Sequence, residues 1–168
     1  AHSIAQMYRY GEYVTKDNDT AQRYYKQALS GFLKIENDYM ANDDLFYKLG
    51  QMFKLGLGTD SDVTKAIEYF RCSAEMNNKN GLFEYGKALL TGEHIPQDTD
   101  SAVKLLEKAV KLKNINSKRF LALEYISGEH LEQDIEKGIA LLTECADSGD
   151  VIASYRLGKI YLQGEIMP

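Results

Sequence analysis

A repeat of 36 residues is the feature that most constrains this chain. Four segments end an apolar stretch in a glycine, and these glycines are Gly56, Gly92, Gly128 and Gly164. An aspartate follows each of the first three after six residues, at Asp62, Asp98 and Asp134. Repeats with periods between 20 and 50 residues indicate stacked helical or mixed units, because one unit cannot bury its apolar face alone.

An earlier copy of the pattern carries an insertion. The segment from Ile4 to Gly11 matches the others, and Asp17 and Ala21 follow in phase. The step from Gly11 to Gly56 is 45 residues, which is nine more than the regular period. We expect the extra residues to lengthen the end of the second helix and the link around 36–44.

Each unit predicts two helices, A and B. Apolar residues at helical spacing, such as Leu49, Met52 and Phe53, indicate helix A. The closing glycine then suits a left-handed C-terminal residue, and the aspartate suits the N-cap of helix B. Asn77 and Gly149 are expected to end helix B. The predicted helices lie near 2–10, 18–38, 43–55, 62–76, 79–90, 98–113, 116–127, 134–148 and 151–163.

Glycines inside helix A need a physical reason, because glycine costs roughly 1 kcal/mol relative to alanine there. Gly50, Gly86 and Gly158 occupy the same position in three units. We predict that helix B approaches helix A closely at these glycines. Small residues on helix B meet the same demand, namely Ala21, Ala66, Ala102 and Gly138.

The predicted fold is all-α, a right-handed α-solenoid of about four and a half helix-turn-helix repeats in one domain, 1–168. The repeats lie near 1–42, 43–78, 79–114, 115–150 and 151–168. Two prolines in 168 residues agree with a helical chain. The sequence stops soon after helix A of the fifth unit, so we interpret it as a fragment. Leu157, Ile160 and Tyr161 should pack on the fourth unit, whereas Ile166 and Met167 lose their cover, and the chain is expected to self-associate at this end.

The repeat resembles the Sel1-like repeat family, which is related to the tetratricopeptide repeat. The shared pattern is small-x-x-x-Leu-Gly-x-x-Tyr-x-x-Gly…Asp-x-x-x-Ala-x-x-Tyr-Phe-x-x-Ala-Ala, and residues 49–74 match it best. The resemblance implies a non-catalytic scaffold or adaptor that binds a protein or peptide, with no cofactor. The array also resembles repeats attached to relaxases of bacterial conjugative elements. That second resemblance implies an accessory, DNA- or partner-contacting region of a mobilisation protein.

By analogy with tetratricopeptide grooves, helix A positions two before and two and five after the core leucine should line a concave groove. The predicted groove residues are Tyr47, Gln51, Lys54, Phe83, Lys87, Leu90, Arg119, Leu123, Ile126, Tyr155, Lys159 and Leu162. Aromatic rings beside amines suit a peptide with apolar and acidic groups. In the alternative interpretation, Tyr47, Phe83 and Tyr155 pack between adjacent A helices.

A basic stretch stands out in a chain of net charge −5. Lys104, Lys108 and Lys111 share one side of a helix B and form a basic patch that could contact phosphate or an acidic partner. The alternative, which we favour, is a solvated helix face. Nucleic acid is therefore the less favoured partner, and a protein or peptide the favoured one.

Candidate reactive residues are few. His94 and His130 lie 36 residues apart in matching Gly-Glu-His stretches. Equivalent atoms of neighbouring repeats lie roughly 8–10 Å apart, too far to share one metal ion, so we expect no metal site. Cys72 and Cys145 are interpreted as small core residues. We expect no enzymatic activity and no membrane span, and two unpaired thiols favour the cytoplasm.

Overall fold

The computed structural model describes residues 1–38 and 40–163, which contain nine α-helices and no strand. The helices are α1 (His2–Tyr10), α2 (Asn18–Asn37), α3 (Asp43–Leu55), α4 (Val63–Glu75), α5 (Lys79–Thr91), α6 (Thr99–Lys111), α7 (Ile115–Ser127), α8 (Ile135–Asp147) and α9 (Val151–Gln163). The predicted bounds agree with these to within two residues. The odd-numbered helices are the A helices, and the even-numbered helices are the B helices.

The chain folds as two compact units, Ala1–Gly81 and Leu82–Pro168. In the first unit, α1 packs on α2 and α3 packs on α4. In the second, α7 packs on both α6 and α8, and α8 packs on α9. The apolar core of the second unit includes Leu90, Leu106, Leu121 and Leu142. Each unit therefore consists of the helix pairs that the period predicts.

The predicted caps are confirmed. Each of the four aspartates before a B helix accepts at least one hydrogen bond from a backbone N–H of the first turn, at about 3.0 Å. The capping aspartates are Asp17, Asp62, Asp98 and Asp134. The closing glycines Gly11, Gly56, Gly92 and Gly128 all have positive φ, between 63° and 76°. Gly164 lies outside the described residues.

A second series of caps, at the start of the A helices, was not predicted. The N-cap residues are Asn42, Asn78, Asn114 and Asp150, which are again 36 residues apart. Their Oδ1 atoms accept hydrogen bonds from backbone N–H groups two or three residues later, at 2.8–3.1 Å. This series also carries the period, so the sequence contains the signal that would have identified it.

Close approach of the paired helices is confirmed at two of the three helix A glycines. A Cβ atom at Gly50 would overlap the Phe70 ring, and one at Gly86 would lie 3.0 Å from Leu106 Cγ. Gly138 on helix B is equally confined, because its Cβ would lie 2.5 Å from Ile126 Cγ1. Space leaves no room for a Cβ atom at Gly50 and Gly138, and a Cβ at Gly86 would press against its neighbour.

The same prediction is wrong for Gly158. This residue is exposed, and no atom of the described residues comes within 4 Å of a Cβ built there. The physical reason is that no helix of the described part covers this side of α9. Gly158 therefore lowers the stability of α9 through its low helix propensity, and no close packing offsets this in the structure.

Packing of α9 on the fourth repeat is confirmed for two of the three residues that were predicted to make this contact. Leu157 and Ile160 pack against the cluster of Ala122, Leu142, Cys145 and Ala153. The prediction for Tyr161 is wrong, because its side chain is 62% exposed. Ile166 and Met167 lie outside the described residues.

The insertion lengthens the first B helix, as predicted. Helix α2 has 20 residues, whereas α4, α6 and α8 have 13 each. The added turns carry Glu36, whose Oε2 accepts a hydrogen bond of 2.9 Å from Tyr69 Oη on α4. Burial, followed by this contact, raises the pKa of Tyr69. The longer helix therefore contacts the B helix of the next repeat.

We expect Gly50→Ala and Gly158→Ala to have opposite effects on stability. The first change forces the buried Phe70 ring to move and should lower the free energy of unfolding by about 1–3 kcal/mol. The second meets no neighbour and should raise it by about 0.5–1 kcal/mol through helix propensity. Urea unfolding of both variants measures the difference, and equal effects would contradict the close-contact interpretation.

Lys113 offers a second stability test, because it follows a B helix with a φ of 60°. Asn77 and Gly149 occupy the equivalent positions with φ of 65° and 89°, as predicted. A left-handed backbone costs a side-chain-bearing residue roughly 1–2 kcal/mol. Lys113→Gly should therefore raise the free energy of unfolding by about 0.5–1 kcal/mol.

Lys111→Gly is the matched control for this change, because it removes the same charge from the last residue of α6. There glycine should lower the free energy of unfolding by up to about 1 kcal/mol. Calorimetry of the two variants would contradict the backbone argument if both were destabilised.

Candidate partner-binding surface

In the first unit, the predicted groove residues lie along one helix, α3. The Tyr47 ring lies 5.9 Å from the Phe70 ring between centroids, and Lys54 Nζ lies 5.8 Å from the centre of the same Phe70 ring. Gln51 Nε2 donates a hydrogen bond of 3.3 Å to Tyr47 Oη. All three side chains are partly exposed. They form a half-buried aromatic and cationic group on the surface of this unit.

In the second unit, Phe83 and Lys87 of α5 contact Phe120 of α7. The two phenylalanine rings meet edge to face with centroids 6.0 Å apart, and Lys87 Nζ lies 5.7 Å from the centre of the Phe120 ring. Phe83 therefore packs between adjacent A helices, as the alternative interpretation predicts. The three side chains remain partly exposed, so the contact does not remove them from the surface.

Helix α9 presents the remaining predicted residues of this unit. Tyr155 is 68% exposed, and Lys159 one turn later is also exposed. On the neighbouring α7, Leu123 is half-buried and packs against the cluster that includes Ala153 of α9. We call Phe83, Lys87, Leu123, Tyr155 and Lys159 the helix A row of the second unit.

Arg119 is engaged within the chain. Its Nη1 atom pairs with Asp150 Oδ2, and its Nη2 atom donates a hydrogen bond of 2.7 Å to Asn116 Oδ1. Asp150 is also the N-cap of α9, so one carboxylate joins α7 to the first turn of α9. The charge of Arg119 is thus already matched by a buried carboxylate. Sequence spacing gave no sign of this pair.

The prediction that the residue five positions after the core leucine lines the groove is wrong for two helices. Leu90 is completely buried in the core of the second unit. Ile126 faces α8, where its Cγ1 atom limits the space at Gly138. At the equivalent positions Lys54 is partly exposed and Leu162 is exposed, so the burial of Leu90 and the partial burial of Ile126 reflect apolar side chains that find a neighbouring helix.

The predicted basic patch lies on α6. Lys104, Lys108 and Lys111 are all exposed and share one side of the helix. Lys104 lies near Asp98, whose pKa is lowered mainly by hydrogen bonds from Ser101 and also by this lysine. The patch is therefore solvated, with Lys104 near the N-cap of α6 and Lys108 and Lys111 in its last turn.

The two loop histidines have different surroundings. His130 Nδ1 lies 2.9 Å from Oε2 of the buried Glu124, whereas His94 is exposed in a left-handed backbone conformation. Within residues 1–38 and 40–163, no group of three or more His, Cys, Asp or Glu side chains is placed to hold a metal ion.

The cysteines agree only in part with the predicted core role. Cys145 is completely buried, and Cys72 is half-buried. Burial raises the pKa of both thiols, which disfavours the reactive thiolate.

An open recess of about 650 Å³ beside α8 is lined by Tyr125 and residues 132–137, and Lys137 Nζ lies 3.9 Å from the centre of the Tyr125 ring. None of the helices described here is long and apolar enough to cross a membrane.

The two roles of Asp150 can be separated by substitution. Asp150→Ala removes the cap and leaves Arg119 without its carboxylate, so it should lower the free energy of unfolding by about 3–5 kcal/mol. Asp150→Asn keeps an oxygen that can cap α9, so the free energy of unfolding should fall by about 1 kcal/mol less than in Asp150→Ala. Urea titration of both variants measures the gap, and equal losses would show that the cap contributes nothing.

Comparison with known proteins agrees with the repeat pattern. The Sel1 repeat profile matches residues 1–31, 47–78, 80–114, 116–150 and 151–168. A solved Sel1 repeat protein from Oxalobacter formigenes is similar, with a TM-score of 0.75 and 25% identity over 97% of this chain and 63% of that protein. A comparison with curated protein sequences finds no significant match.

A second solved structure is that of c5321, a protective antigen of uropathogenic Escherichia coli strains with an SLR fold. It has a TM-score of 0.69 and 24% identity over 96% of this chain and 33% of that protein. The chain thus spans less than two thirds of either structure. Because the profile matches cover most of the sequence in five successive segments, this chain belongs to the Sel1 repeat family and is an α-solenoid of Sel1 repeats.

Proposed function

We propose that this chain is a non-catalytic interaction module whose A helices bind a segment of a partner protein. Sel1 repeat proteins generally serve as protein-interaction scaffolds, and their fold is typically non-catalytic. The observation that carries the proposal for this chain is a partly exposed amine beside an aromatic ring in each unit. These pairs are Lys54 with Phe70 and Lys87 with Phe120.

The chemistry of the pairs defines the partner segment. The partly exposed rings of Tyr47 and Phe120 offer apolar area, and an ammonium beside an aromatic ring can pair with an acidic group of a ligand without losing its contact with the ring. The partner segment therefore combines apolar side chains with carboxylates.

The helix A row of the second unit provides the larger surface. Phe83, Leu123 and Tyr155 supply apolar area from three A helices, and Lys87 and Lys159 supply the charge. Arg119 contributes little charge, because Asp150 already pairs with it. An apolar strip with lysines suits an extended or helical peptide of acidic and apolar composition.

A displayed library of random peptides tests this proposal. Peptides enriched on the chain should carry acidic and apolar residues, and Lys87→Glu with Lys159→Glu should weaken their binding by about tenfold or more. The triple variant Lys104→Glu, Lys108→Glu, Lys111→Glu is the control, because it reverses more charges on α6 and should leave binding nearly unchanged. Peptides that bind both variants equally would contradict the proposal.

The exposed lysines of α6 support a second candidate, an accessory DNA contact. Affinity for DNA would then fall by roughly 0.7–0.9 log units per log unit of salt for each phosphate contact. We expect no binding at physiological salt, because the net charge of −5 repels the backbone. Salt-dependent binding that the triple lysine variant abolishes would favour this candidate over the protein partner.

A further inference from the structure

Two turns of the second unit expose aliphatic side chains at one edge. One turn joins α6 to α7 and the other joins α8 to α9, so each connects a B helix to the next A helix. The exposed residues are Leu112, Ile115, Val151 and Ile152, with exposed fractions of 43%, 37%, 78% and 53%. We call these four residues the aliphatic edge. Large apolar side chains that gather in one exposed group indicate an interaction surface, whereas scattered ones do not.

Two ion pairs hold these turns next to each other. Lys118 Nζ, near the start of α7, lies 2.8 Å from Glu144 Oε2, near the end of α8. Arg119 of α7 pairs with Asp150, whose Oδ1 atom caps the first turn of α9. Because Asp150 directly precedes α9, the start of α9 lies beside the start of α7. The four aliphatic residues therefore form one group.

The exposure of Val151 and Ile152 is a property of their repeat positions. On α7 the same positions are Ile115 and Asn116, and both are exposed although α8 and α9 follow them in the chain. On α5 the first of these positions is Lys79, which is also exposed. Stacking of repeats thus leaves the start of an A helix open to solvent. The aliphatic residues there lie outside the surfaces on which the helices pack.

Lysines flank the aliphatic edge. Lys111 and Lys113 directly precede and follow Leu112, and both are exposed. Lys108, one turn earlier on α6, is exposed as well. A lysine can lay its methylene groups along an apolar surface and keep its ammonium in a polar layer. The edge thus combines apolar tips with positive charge at its rim.

Most of the carboxylates beside the edge are already paired. Glu144 pairs with Lys118, and the buried carboxylate of Asp150 pairs with Arg119. Asp147, the last residue of α8, is the exposed carboxylate that remains near the edge. Three lysines against this one aspartate leave the edge positively charged, in a chain whose total charge is −5.

We propose that the aliphatic edge and its lysines bind the surface of a bilayer that contains anionic phospholipids. The four aliphatic side chains enter the boundary between headgroups and acyl chains, and Lys108, Lys111 and Lys113 pair with lipid phosphates. The contact is peripheral, because the helices keep their packing and only the turns enter the interface. This surface shares no residue with the helix A row and adds a second kind of binding to the proposed function.

The composition of the edge favours a membrane over a protein partner. Protein interfaces are enriched in aromatic residues and arginine and depleted in lysine, and leucine and valine are under-represented among the residues that dominate binding. The edge has the reverse composition, with aliphatic side chains as its apolar part and lysine as its cation. A bilayer surface is apolar within and anionic outside, which suits apolar tips flanked by lysines.

Vesicle sedimentation tests this proposal. The chain should pellet with vesicles of equal parts phosphatidylglycerol and phosphatidylcholine, and much less with vesicles of phosphatidylcholine alone. Val151→Ser with Ile152→Ser should weaken binding to the anionic vesicles about tenfold or more, because it removes apolar area that the bilayer buries. Lys111→Gln with Lys113→Gln should also weaken binding about tenfold or more, and added salt should act in the same direction.

Matched controls separate the edge from general properties of the surface. Tyr13→Asn removes an apolar side chain that is 95% exposed in the first unit, and asparagine tolerates the left-handed backbone there. Lys16→Gln with Lys26→Gln removes the same charge from exposed lysines of the first unit. Both controls should leave vesicle binding nearly unchanged. Thermal unfolding followed by circular dichroism should show that Val151→Ser with Ile152→Ser stays folded, because both side chains are exposed.

The absence of pelleting with the anionic vesicles at millimolar lipid would overturn the proposal. Equal binding of the original chain and of Val151→Ser with Ile152→Ser would overturn it as well. If Lys16→Gln with Lys26→Gln weakened binding as much as Lys111→Gln with Lys113→Gln, net charge rather than the edge would explain the binding. Sedimentation equilibrium without vesicles adds an independent outcome, because a concentration-dependent dimer that Val151→Ser with Ile152→Ser abolishes would assign the edge to a protein interface and overturn the membrane assignment.

Discussion

The contact between a small residue and a bulky one, where helix A meets helix B, is the interaction on which each repeat depends. Gly50 receives the Phe70 ring, and Gly86 receives Leu106 across from Ala102. Glycine lowers the intrinsic stability of the helix, so the packing gained at this point must exceed that cost. Because the helix axes approach closely here, the flanking apolar residues also reach their partners, and the caps then fix where each helix begins and ends.

Features set by local backbone geometry could be predicted from the sequence almost completely. The capping aspartates and the left-handed glycines act within a few residues of themselves, and their positions repeat with the period. Gly158 and Tyr161 show where this reasoning fails. Their sequence context matches that of Gly50 and Phe53, yet they are exposed, because burial depends on whether another helix covers the position. The period alone cannot supply that information.

The candidate binding surface was predicted less well, for a related reason. Leu90 and Ile126 turn towards helix B, and their apolar character, unlike that of Lys54 at the equivalent position, could have indicated this. The pairing of Arg119 with Asp150 could not, since it joins residues 31 positions apart through two particular side-chain conformations. Repeat spacing therefore identifies which residues lie at the groove positions. Whether the charge of such a residue is available to a ligand depends on whether another side chain of the chain already pairs with it.

An exposed face in a repeat array differs from an ordinary apolar patch, because the array contains its own examples of what covers that face. Three B helices contact the positions equivalent to Gly158 and Tyr161, with the same order of capping, small and bulky residues. The three B helices differ in net charge and in the identity of the bulky residue, but the spacing of the capping, small and bulky residues is the same in all three.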